Sequence, residues 1–412
     1  MSLDRFDVVV VGSGIVGASL ALGLAQQSFR VAIIDIREHA PVWVDGHAQP
    51  PFDIRASSIN HASVALFKHF HAWPSMQAKR IHAFREIQVW DAAGNGHIHF
   101  NSRDIGNSCL GYIIEHHVML DALVEQLRQQ NVSMLSPDSV EAFHTEQDAM
   151  LVQLQSGKSL ACRLLVGADG SHSTVRRLAG IESRQWPQQH EGVVATVRMS
   201  LPHQHTAWQR FLPDGPLAFL PLTEHTCSIV WSCPKQQARA LMAKDEQAFC
   251  QALAEAMENR FGALRLCGGR ASFPLRPQHA LRYIQSRLCL AGDAAHSIHP
   301  LAGQGVNLGL LDAAALIDVL DQTRRQRKDI GAYLVLRRYE RWRRSYNAAM
   351  LQVMEGFAHL FGNQHPLLSW LRNNGLNLTD RLLPVKQSIM DYACGLRGDL
   401  PSLSQNHHAG AP

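Results

Sequence analysis

The strongest constraint on the fold is a short stretch near the N-terminus. An apolar, β-branched run from Val8 to Val11 leads into three glycines with the spacing Gly-x-Gly-x-x-Gly, namely Gly12, Gly14 and Gly17. The run is typical of a buried parallel strand, and the small residues after it continue with helical periodicity. Gly12 permits a tight turn, Gly14 the close approach of a pyrophosphate, and Gly17 close helix–strand packing. A pyrophosphate would lie at the helix N-terminus, where free N–H groups attract an anion.

The second strand of this unit supports the same interpretation. It runs from Arg30 to Asp35, and a carboxylate at its end can accept hydrogen bonds from a ribose. Strand, helix and acid together favour dinucleotide binding over a βα turn that is tight only for packing reasons. They do not distinguish FAD from NAD. The uncharged segment from Val8 to Ala25 is long enough to resemble a membrane span, but its glycines and the acid-ended second strand favour a buried βαβ unit.

Composition narrows the class of protein. The chain has 412 residues, of which 46% are hydrophobic, and this length predicts about two or three domains. The net charge of +4 comes without a long basic block, so nucleic-acid binding has no support. Eight cysteines without a C-x-x-C pair, and acids at Asp4 and Asp7 where a secretion signal is basic, predict a cytosolic protein with reduced thiols. The 23 histidines lack partners at zinc spacing, so we predict no metal site.

Further patterns predict the order of elements along the chain. Alternating apolar residues between Ile87 and Phe100 predict an antiparallel hairpin, and the segment from Gly111 to Leu127 is predicted to be one helix. Residues 190–282 lack βαβ order and contain short strands between Pro/Gly turns, with one amphipathic helix around Leu253. The last 80 or so residues are helical in pattern and partly basic.

We therefore predict an α/β protein with three parts. A discontinuous Rossmann-like dinucleotide-binding domain with a parallel sheet would comprise residues 1–80, 110–182 and 283–330. An inserted, mostly antiparallel α+β substrate domain would comprise residues 81–109 and 183–282. A C-terminal helical region would comprise residues 331–412.

Two more segments carry features of a dinucleotide site. Asp169 and Gly170 follow an apolar strand, with Arg176 nearby, and Gly292 and Asp293 follow another. The second of these runs on through the loop from Pro300 to Asn307 into a predicted helix, whose free N–H groups can face a ring that becomes anionic on reduction. Arg55 follows a Pro-rich loop and is either a polyphosphate contact or part of a surface salt bridge.

Together these motifs resemble the class A flavoprotein aromatic hydroxylases, which have the para-hydroxybenzoate hydroxylase fold. Within that family, three runs are similar to the ubiquinone-biosynthesis hydroxylases: Leu110–Glu115, Val166–Ser171 and Leu290–Gly309. The resemblance covers roughly residues 5–400 and is strongest to the 2-polyprenylphenol hydroxylases, through Trp90-Asp91, Gly96-His97-Ile98 and Lys328–Arg341. His116-His117 depart from the family pattern, in which an arginine often meets the FAD phosphates, so we expect His117 to be only a weak contact.

The resemblance implies an enzyme that uses FAD, NADPH or NADH, and O2 to hydroxylate a polyprenylated phenol of ubiquinone biosynthesis through a flavin C4a-hydroperoxide. It implies a flavin-ring loop with no catalytic acid or base assigned, formed by Pro300, Gly303, Gln304 and Gly305. The implied cofactor-binding residues are Gly12, Gly14, Gly17, Asp35, Arg55, Asp169, Gly170, Gly292, Asp293, Gly303, Gly305, Val306 and Asn307. Expected partners are the phenol, other ubiquinone-biosynthesis proteins and a second copy of the chain.

Several alternatives remain at this stage. The same fold could serve another aromatic substrate, a flavin reductase or a halogenase, although the halogenase pattern Trp-x-Trp-x-Ile-Pro is absent. A non-catalytic flavin-bound scaffold is a further alternative. In the tail, apolar residues at helical spacing predict helices that either pack on the core or dock, with nearby basic residues, on the inner face of an anionic membrane: Leu378, Leu382, Val385 and Ile389, with Arg372, Arg381, Lys386 and Arg397.

Overall fold

A central, largely parallel sheet organises the computed structural model, which describes residues 3–43, 49–186, 190–297, 305–362 and 366–405. Elements are numbered along the chain. The sheet has the order β19-β20-β11-β1-β2-β8, and β9 and β10 continue from β11 as an antiparallel branch. Its strands are β1 Asp4–Val11, β2 Val31–Ile34, β8 Val132–Leu135, β9 Val140–Glu146, β10 Ala149–Leu154, β11 Ser159–Gly167, β19 Ile284–Gln285 and β20 Leu288–Leu290. The predicted α/β fold class with a parallel sheet is confirmed.

A second sheet of seven strands has the order β17-β13-β16-β15-β14-β5-β6. All its pairings are antiparallel except that of β14 with β5. The hairpin of β5 and β6 comes from an earlier part of the chain than the other five strands. The strands are β5 Glu86–Asp91, β6 His97–Asn101, β13 His190–Met199, β14 Thr206–Leu212, β15 Gly215–Thr223, β16 Thr226–Pro234 and β17 Leu264–Pro274. The predicted boundaries between domains remain a prediction.

Two three-stranded sheets lie beside the larger ones. One has the order β3-β7-β4, and the other the order β12-β18-β21. Their strands are β3 Ala56–Ile59, β4 Ile81–Phe84, β7 Gly111–Glu115, β12 Ser183–Gln185, β18 Gln278–Ala280 and β21 His296–Ser297.

The described helices are α1 Ile15–Gln26, α2 His61–His69, α3 Trp73–Ala78, α4 His116–Gln129, α5 Thr174–Leu178, α6 Lys235–Ala243, α7 Glu246–Ala256, α8 Gly305–Arg325, α9 Tyr333–Gly362, α10 Pro366–Arg381 and α11 Leu383–Ala393. The uncharged helix α1 packs between the central sheet, α4 and α8. Burial on these sides explains why α1 carries no charged residue, and a membrane environment is not needed to explain it. Among the described residues, no helix is both long and apolar enough to cross a bilayer.

The prediction of one helix from Gly111 to Leu127 was wrong at its N-terminal end. Gly111–Glu115 is strand β7, which pairs with both β3 and β4, and the helix begins only at His116. The β-branched pair Ile113 and Ile114 is fully buried in this pairing. Strand pairing on both edges therefore determines the conformation of this short apolar segment, which hydrophobic periodicity alone could not predict.

The seven-stranded sheet has two differently covered faces. Phe219 and Ile229 on one face pack against α6 and α7, which are two helices where the sequence predicted one. On the opposite face, Leu220 lies in a cluster with Ile113 of β7 and Met390 of α11. The C-terminal helices therefore contribute to the contact between the second sheet and the rest of the chain.

Candidate functional site

The N-terminal turn is closed by two glycines that packing requires. Gly12 has a φ of +103°, and a Cβ there would lie 2.4 Å from the carbonyl oxygen of Ala168. A Cβ on Gly17 would lie 1.9 Å from the carbonyl oxygen of Gly12. The helix α1 therefore crosses the end of β1 as closely as the sequence predicted.

Gly14 is different, because the protein itself does not require a glycine there. Its φ of −64° and ψ of 178° are open to any residue. A Cβ would have no atom within 4 Å. This open space lies directly before the N-terminus of α1, whose first turn contains no acid. The space and the free N–H groups together fit a pyrophosphate.

Asp35 lies at the end of β2, beside this turn. Its Oδ2 accepts hydrogen bonds from Ser13 N at 2.7 Å and Ser13 Oγ at 2.9 Å, and its Oδ1 accepts one from Arg37 N at 2.9 Å. An ionised carboxylate offers about four acceptor positions. The half-exposed Asp35 is thus held in place with capacity left for a ribose hydroxyl.

The side chains of the second motif, Asp169 and Arg176, bond within the protein, and Arg176 connects this motif to the third, around Asp293. The Asp169 carboxylate caps α5, accepting from Ser173 Oγ at 2.5 Å and from Thr174 N at 2.7 Å. Arg176 on α5 donates to the carbonyl oxygens of Ser171 and Ala294, each at 2.7 Å. Gly170, with a φ of +80°, leaves open space where a Cβ would be. The Asp169 side chain therefore positions the motif, and a ligand would meet its backbone.

The three motifs lie at one edge of the central sheet. Val11, Gly167 and Leu290 are partners across β1, β11 and β20, which run parallel. The carboxyl ends of these strands therefore meet, and in open α/β sheets this edge is where ligands bind. Tertiary structure thus brings together the residues around Gly12, Asp169 and Asp293.

Asp293 faces solvent from this edge. Its side chain is exposed, and no described residue donates a hydrogen bond to its carboxylate. The surrounding protein nevertheless raises the pKa of Asp293 above its ordinary value, chiefly by desolvation. The Asp293 carboxylate is thus open to solvent, without a donor in the described residues. It is available as an acceptor for a ribityl hydroxyl.

Helix α8 begins beside Asp293 with Gly305, Val306 and Asn307. The Asn307 side chain is buried and turned into the protein, where its Nδ2 donates to Ser58 O at 2.7 Å and its Oδ1 accepts from Ser63 Oγ at 2.7 Å. Any cofactor contact of Asn307 would therefore use the backbone N–H. The other predicted members of the flavin-ring loop, Pro300, Gly303 and Gln304, lie outside the described residues.

Arg55 projects from the segment before β3. Its side chain is exposed, and in the described part of the chain no carboxylate lies within the 4.0 Å of an ion pair. The surface salt bridge considered from the sequence is therefore not formed there. The charge of Arg55 lowers the pKa of Asp293, after the larger and opposite effect of desolvation.

His117 lies against Asp53 rather than at an open edge. Its Nδ1 is 3.3 Å from Asp53 Oδ2, and its backbone N–H donates to the same oxygen at 2.9 Å. Burial alone would raise the pKa of Asp53, but the hydrogen bonds from His117 and from Arg55 N lower it to about 2. His117 therefore holds the segment that carries Arg55, and the sequence did not predict this role.

A buried ion pair supports the same segment and was also missed. Arg80 donates through Nε and, at 3.0 Å, through Nη2 to the two carboxylate oxygens of Glu115, which is fully buried. Glu115 also accepts from Asp53 N at 2.6 Å, and the Arg80 guanidinium lies 4.1 Å from the ring centroid of Phe52. An acid at the end of the apolar run Tyr112–Ile114 was the available signal for a buried charge.

The histidines of the described residues do not form a metal centre, because no three potential ligands are grouped suitably there. His82 and His205 do stack, with Nε2 of the first 3.1 Å from Nδ1 of the second. His203 lies beside them, but its Nε2 bonds to Thr223 O and its Nδ1 accepts from His205 N. Both of its nitrogens are therefore engaged within the protein.

The profile of the family described as FAD binding domain matches residues 5–353, most of the chain. The chain belongs to this FAD-binding family. It is 38% identical over 397 residues to the 3-demethoxyubiquinol 3-hydroxylase of Escherichia coli (strain K12), covering 96% of this chain and 100% of that relative. It is 33% identical over 433 residues to the human mitochondrial ubiquinone biosynthesis monooxygenase COQ6, covering 94% and 92%.

Solved structures of FAD-binding enzymes share the fold of this family member. The probable FAD-dependent monooxygenase pqsL from Pseudomonas aeruginosa superimposes with a TM-score of 0.77 at 23% identity, covering 91% of this chain and 100% of that one. The p-nitrophenol 4-monooxygenase PnpA from Pseudomonas putida DLL-E4 gives 0.77 at 20% identity, with 95% and 98% covered. At such identities the likeness establishes the fold alone.

Membership confirms the predicted enzyme class. The chain is an FAD-dependent aromatic-ring monooxygenase with NAD(P)H and O2 as co-substrates. The resemblance to class A flavoprotein hydroxylases is likewise confirmed. The alternative of a non-catalytic scaffold is therefore not supported. The assignment of individual residues to the cofactor remains a proposal.

Proposed function

We propose that this enzyme hydroxylates the ring of a polyprenylated phenol or quinol in ubiquinone biosynthesis. One observation carries the proposal: the two relatives above are matched along nearly all of their length, and one is named for a demethoxyubiquinol and the other for ubiquinone biosynthesis. Bound FAD would supply the activated oxygen, and the chain would bind and orient both molecules.

The described residues suggest how the chain would hold FAD. The open space before Gly14 and the N–H groups of α1 would take the pyrophosphate, and Asp35 would accept from the adenosine ribose. The free carboxylate of Asp293 would accept from the ribityl chain. The first N–H groups of α8 would face the flavin ring and stabilise negative charge on it.

Two compounds with differently substituted rings are candidates for the substrate. The motif resemblance favours a 2-polyprenylphenol, whereas the Escherichia coli relative is named for a demethoxyubiquinol. Incubation of the purified enzyme in air with FAD, NADPH and either the phenol or the quinol, followed by mass analysis, distinguishes the two candidates. We expect one substrate to gain a single oxygen with coupled NADPH oxidation. If neither ring stimulates NADPH oxidation or gains oxygen, the proposed function is wrong.

Association with a membrane surface is the second part of the proposal, because a polyprenyl chain partitions into a bilayer. On α10 and α11 the residues at helical spacing are exposed rather than packed, with 58% of Leu378 and 45% of Ile389 accessible. Two of the nearby basic side chains are held in ion pairs, whereas Arg381 is exposed. Lys386 is buried and pairs with Asp104 at 3.2 Å and Asp380 at 3.4 Å, and Arg397 pairs with Asp391 at 3.0 Å. Apolar contact would therefore dominate over charge.

Co-sedimentation with anionic vesicles tests this part. We expect the full-length enzyme to bind, the double variant Leu378→Ser/Ile389→Ser to lose binding, and high salt to weaken it only modestly. Leu201 is exposed in the loop between β13 and β14 of the second sheet, and Leu201→Ser is therefore the control. Equal binding by all variants, or none by the wild type, would leave these helices without a membrane role. Self-association and contacts with other ubiquinone-biosynthesis proteins remain predictions.

A further inference from the structure

Asp312 is a fully buried carboxylate on α8, behind the turn that carries Asp293. Its two oxygens accept four hydrogen bonds. The donors to Oδ2 are Gly292 N at 3.1 Å and His296 Nε2 at 2.5 Å, and the donors to Oδ1 are Arg343 Nε at 2.8 Å and Asn347 Nδ2 at 3.0 Å. A buried carboxylate is costly unless it is paired in this way.

Two of these donors bracket Asp293. Gly292 and His296 lie at the two ends of the turn that presents the Asp293 side chain, and Ala295 N donates to Gly292 O within it at 2.8 Å. Gly292 has a φ of +59°, a backbone conformation that favours glycine. Asp312 therefore fixes both ends of a turn that carries a free carboxylate at its outer side.

The other two donors come from the C-terminal helical region. Arg343 and Asn347 lie one turn apart on α9, and Arg343 Nη2 donates to Asn347 Oδ1 at 3.1 Å. Arg343 is 1% exposed and Asn347 is fully buried. Burial alone would raise the pKa of Asp312, but the charges and hydrogen bonds of His296 and Arg343 lower it well below its ordinary value. The carboxylate is thus ionised and accepts from both sides.

We propose that Asp312 is a positioning residue for FAD, which holds the Gly292–His296 turn so that Asp293 meets the cofactor. The inference rests on the proposed placement of FAD at Asp293. Asp312 itself lies behind the turn and acts through it. The link to α9 gives the C-terminal region a direct effect on cofactor affinity.

The test is an FAD titration of the flavin-free, full-length protein by fluorescence. Asp312→Asn removes the negative charge and replaces one acceptor oxygen with an NH2 group that faces two donors, and we expect FAD affinity to fall by about 10- to 100-fold. Asp318→Asn is the matched control on the same helix, because Asp318 accepts from Ser402 N at 2.7 Å and Ser402 Oγ at 2.5 Å, away from the turn. This control should keep wild-type FAD affinity.

A double-mutant cycle separates positioning from general destabilisation. If Asp312 acts through Asp293, Asp293→Ala/Asp312→Asn will bind FAD nearly as weakly as Asp293→Ala alone. A purely structural role would lower the thermal midpoint of the flavin-free protein and leave FAD affinity unchanged. If Asp312→Asn does not fold, Asn347→Leu removes a neutral donor, and we expect an affinity loss of about two- to tenfold.

The outcomes distinguish this inference from the proposed site. Wild-type FAD affinity in Asp312→Asn, or losses that multiply fully in the double variant, would overturn the positioning role. Unchanged FAD affinity in Asp293→Ala would instead contradict the placement of the cofactor on which it rests.

Discussion

At the scale of single residues, the three glycines of the N-terminal turn divide into two kinds. Gly12 and Gly17 are required because a side chain on either would overlap a backbone carbonyl. Gly14 has an unstrained backbone and faces open space. The fold therefore does not require a glycine at this position, which supports the proposed pyrophosphate site.

We therefore predict that substitutions at Gly14 and Gly17 affect different properties: the first mainly lowers FAD affinity, and the second mainly lowers stability. Gly14→Val should cost about 1 kcal/mol or less of folding free energy, yet lower FAD affinity by more than about 100-fold, roughly 3 kcal/mol, because its methyl groups occupy the pyrophosphate space. Gly17→Val should lower the unfolding free energy by about 3 kcal/mol or more. Urea unfolding and FAD titration of each variant check this. Normal flavin binding by Gly14→Val would be inconsistent with the proposed site.

The buried pair of Arg80 and Glu115 should matter for stability. Arg80→Met leaves the fully buried Glu115 without its cation, so we expect the unfolding free energy to fall by about 3–5 kcal/mol. The control is Arg324→Met, which removes a partly exposed pair with Asp321 and should cost about 0.5 kcal/mol or less. Chemical denaturation measures both. Similar small losses would mean that water or another group compensates the Glu115 charge.

At the scale of elements, α10 covers the edge strand β6 through side-chain acceptors. Asn377 Oδ1 accepts from His97 N and Asp380 Oδ1 from His99 N, each at 3.0 Å, and Asn373 Oδ1 accepts from Gly96 N. Residues spaced along one helix face thus satisfy successive N–H groups that an edge strand leaves unpaired. The contact also holds the C-terminal region against the second sheet.

Hydrogen exchange can test this edge contact. In Asn377→Ala the amide of His97 loses its acceptor, and we expect it to exchange faster by the equivalent of about 0.5–1.5 kcal/mol. Leu378→Ala, on the exposed face of the same helix, should leave exchange in β6 unchanged. If the amides of β6 exchange at the same rate in the two variants, Asn377 does not contribute to holding the strand.

At the scale of the whole molecule, three histidines make stability depend on pH. Desolvation is the main cause that lowers the pKa of His82, His116 and His279 to about 4 each. Their unfolded counterparts bind protons below about 6.5. The unfolded state therefore binds more protons between these values, and the free energy of unfolding falls as pH decreases from 6.5 towards 4.

Urea unfolding at several pH values and a fixed FAD concentration measures this slope. We expect His116→Gln, which can still bond to Ser57 Oγ, to reduce the slope by about one proton at most. The exposed His144→Gln should keep the wild-type slope. A wild-type slope in His116→Gln would mean that this histidine is not held neutral by burial.

The sequence alone determined the βαβ unit and the family. An apolar, β-branched run at the end of a strand, fixed glycine spacing and an acid at the next strand end are compatible with few folds, and each of these signals is local in sequence. Gly12, Gly14 and Asp35 could therefore be proposed as cofactor contacts from local pattern, and the second sheet could be predicted as mostly antiparallel from its short, turn-bounded strands.

Only the tertiary structure decided which charged groups support the site. Glu115 lies at the end of a run whose strand or helix character depended on partners far along the chain. Asp312 joins α8, the Asp293 turn and α9, over separations of 16 to 35 residues. Local pattern cannot report such contacts, because the cost of burying a charge is offset only by donors that folding brings from elsewhere.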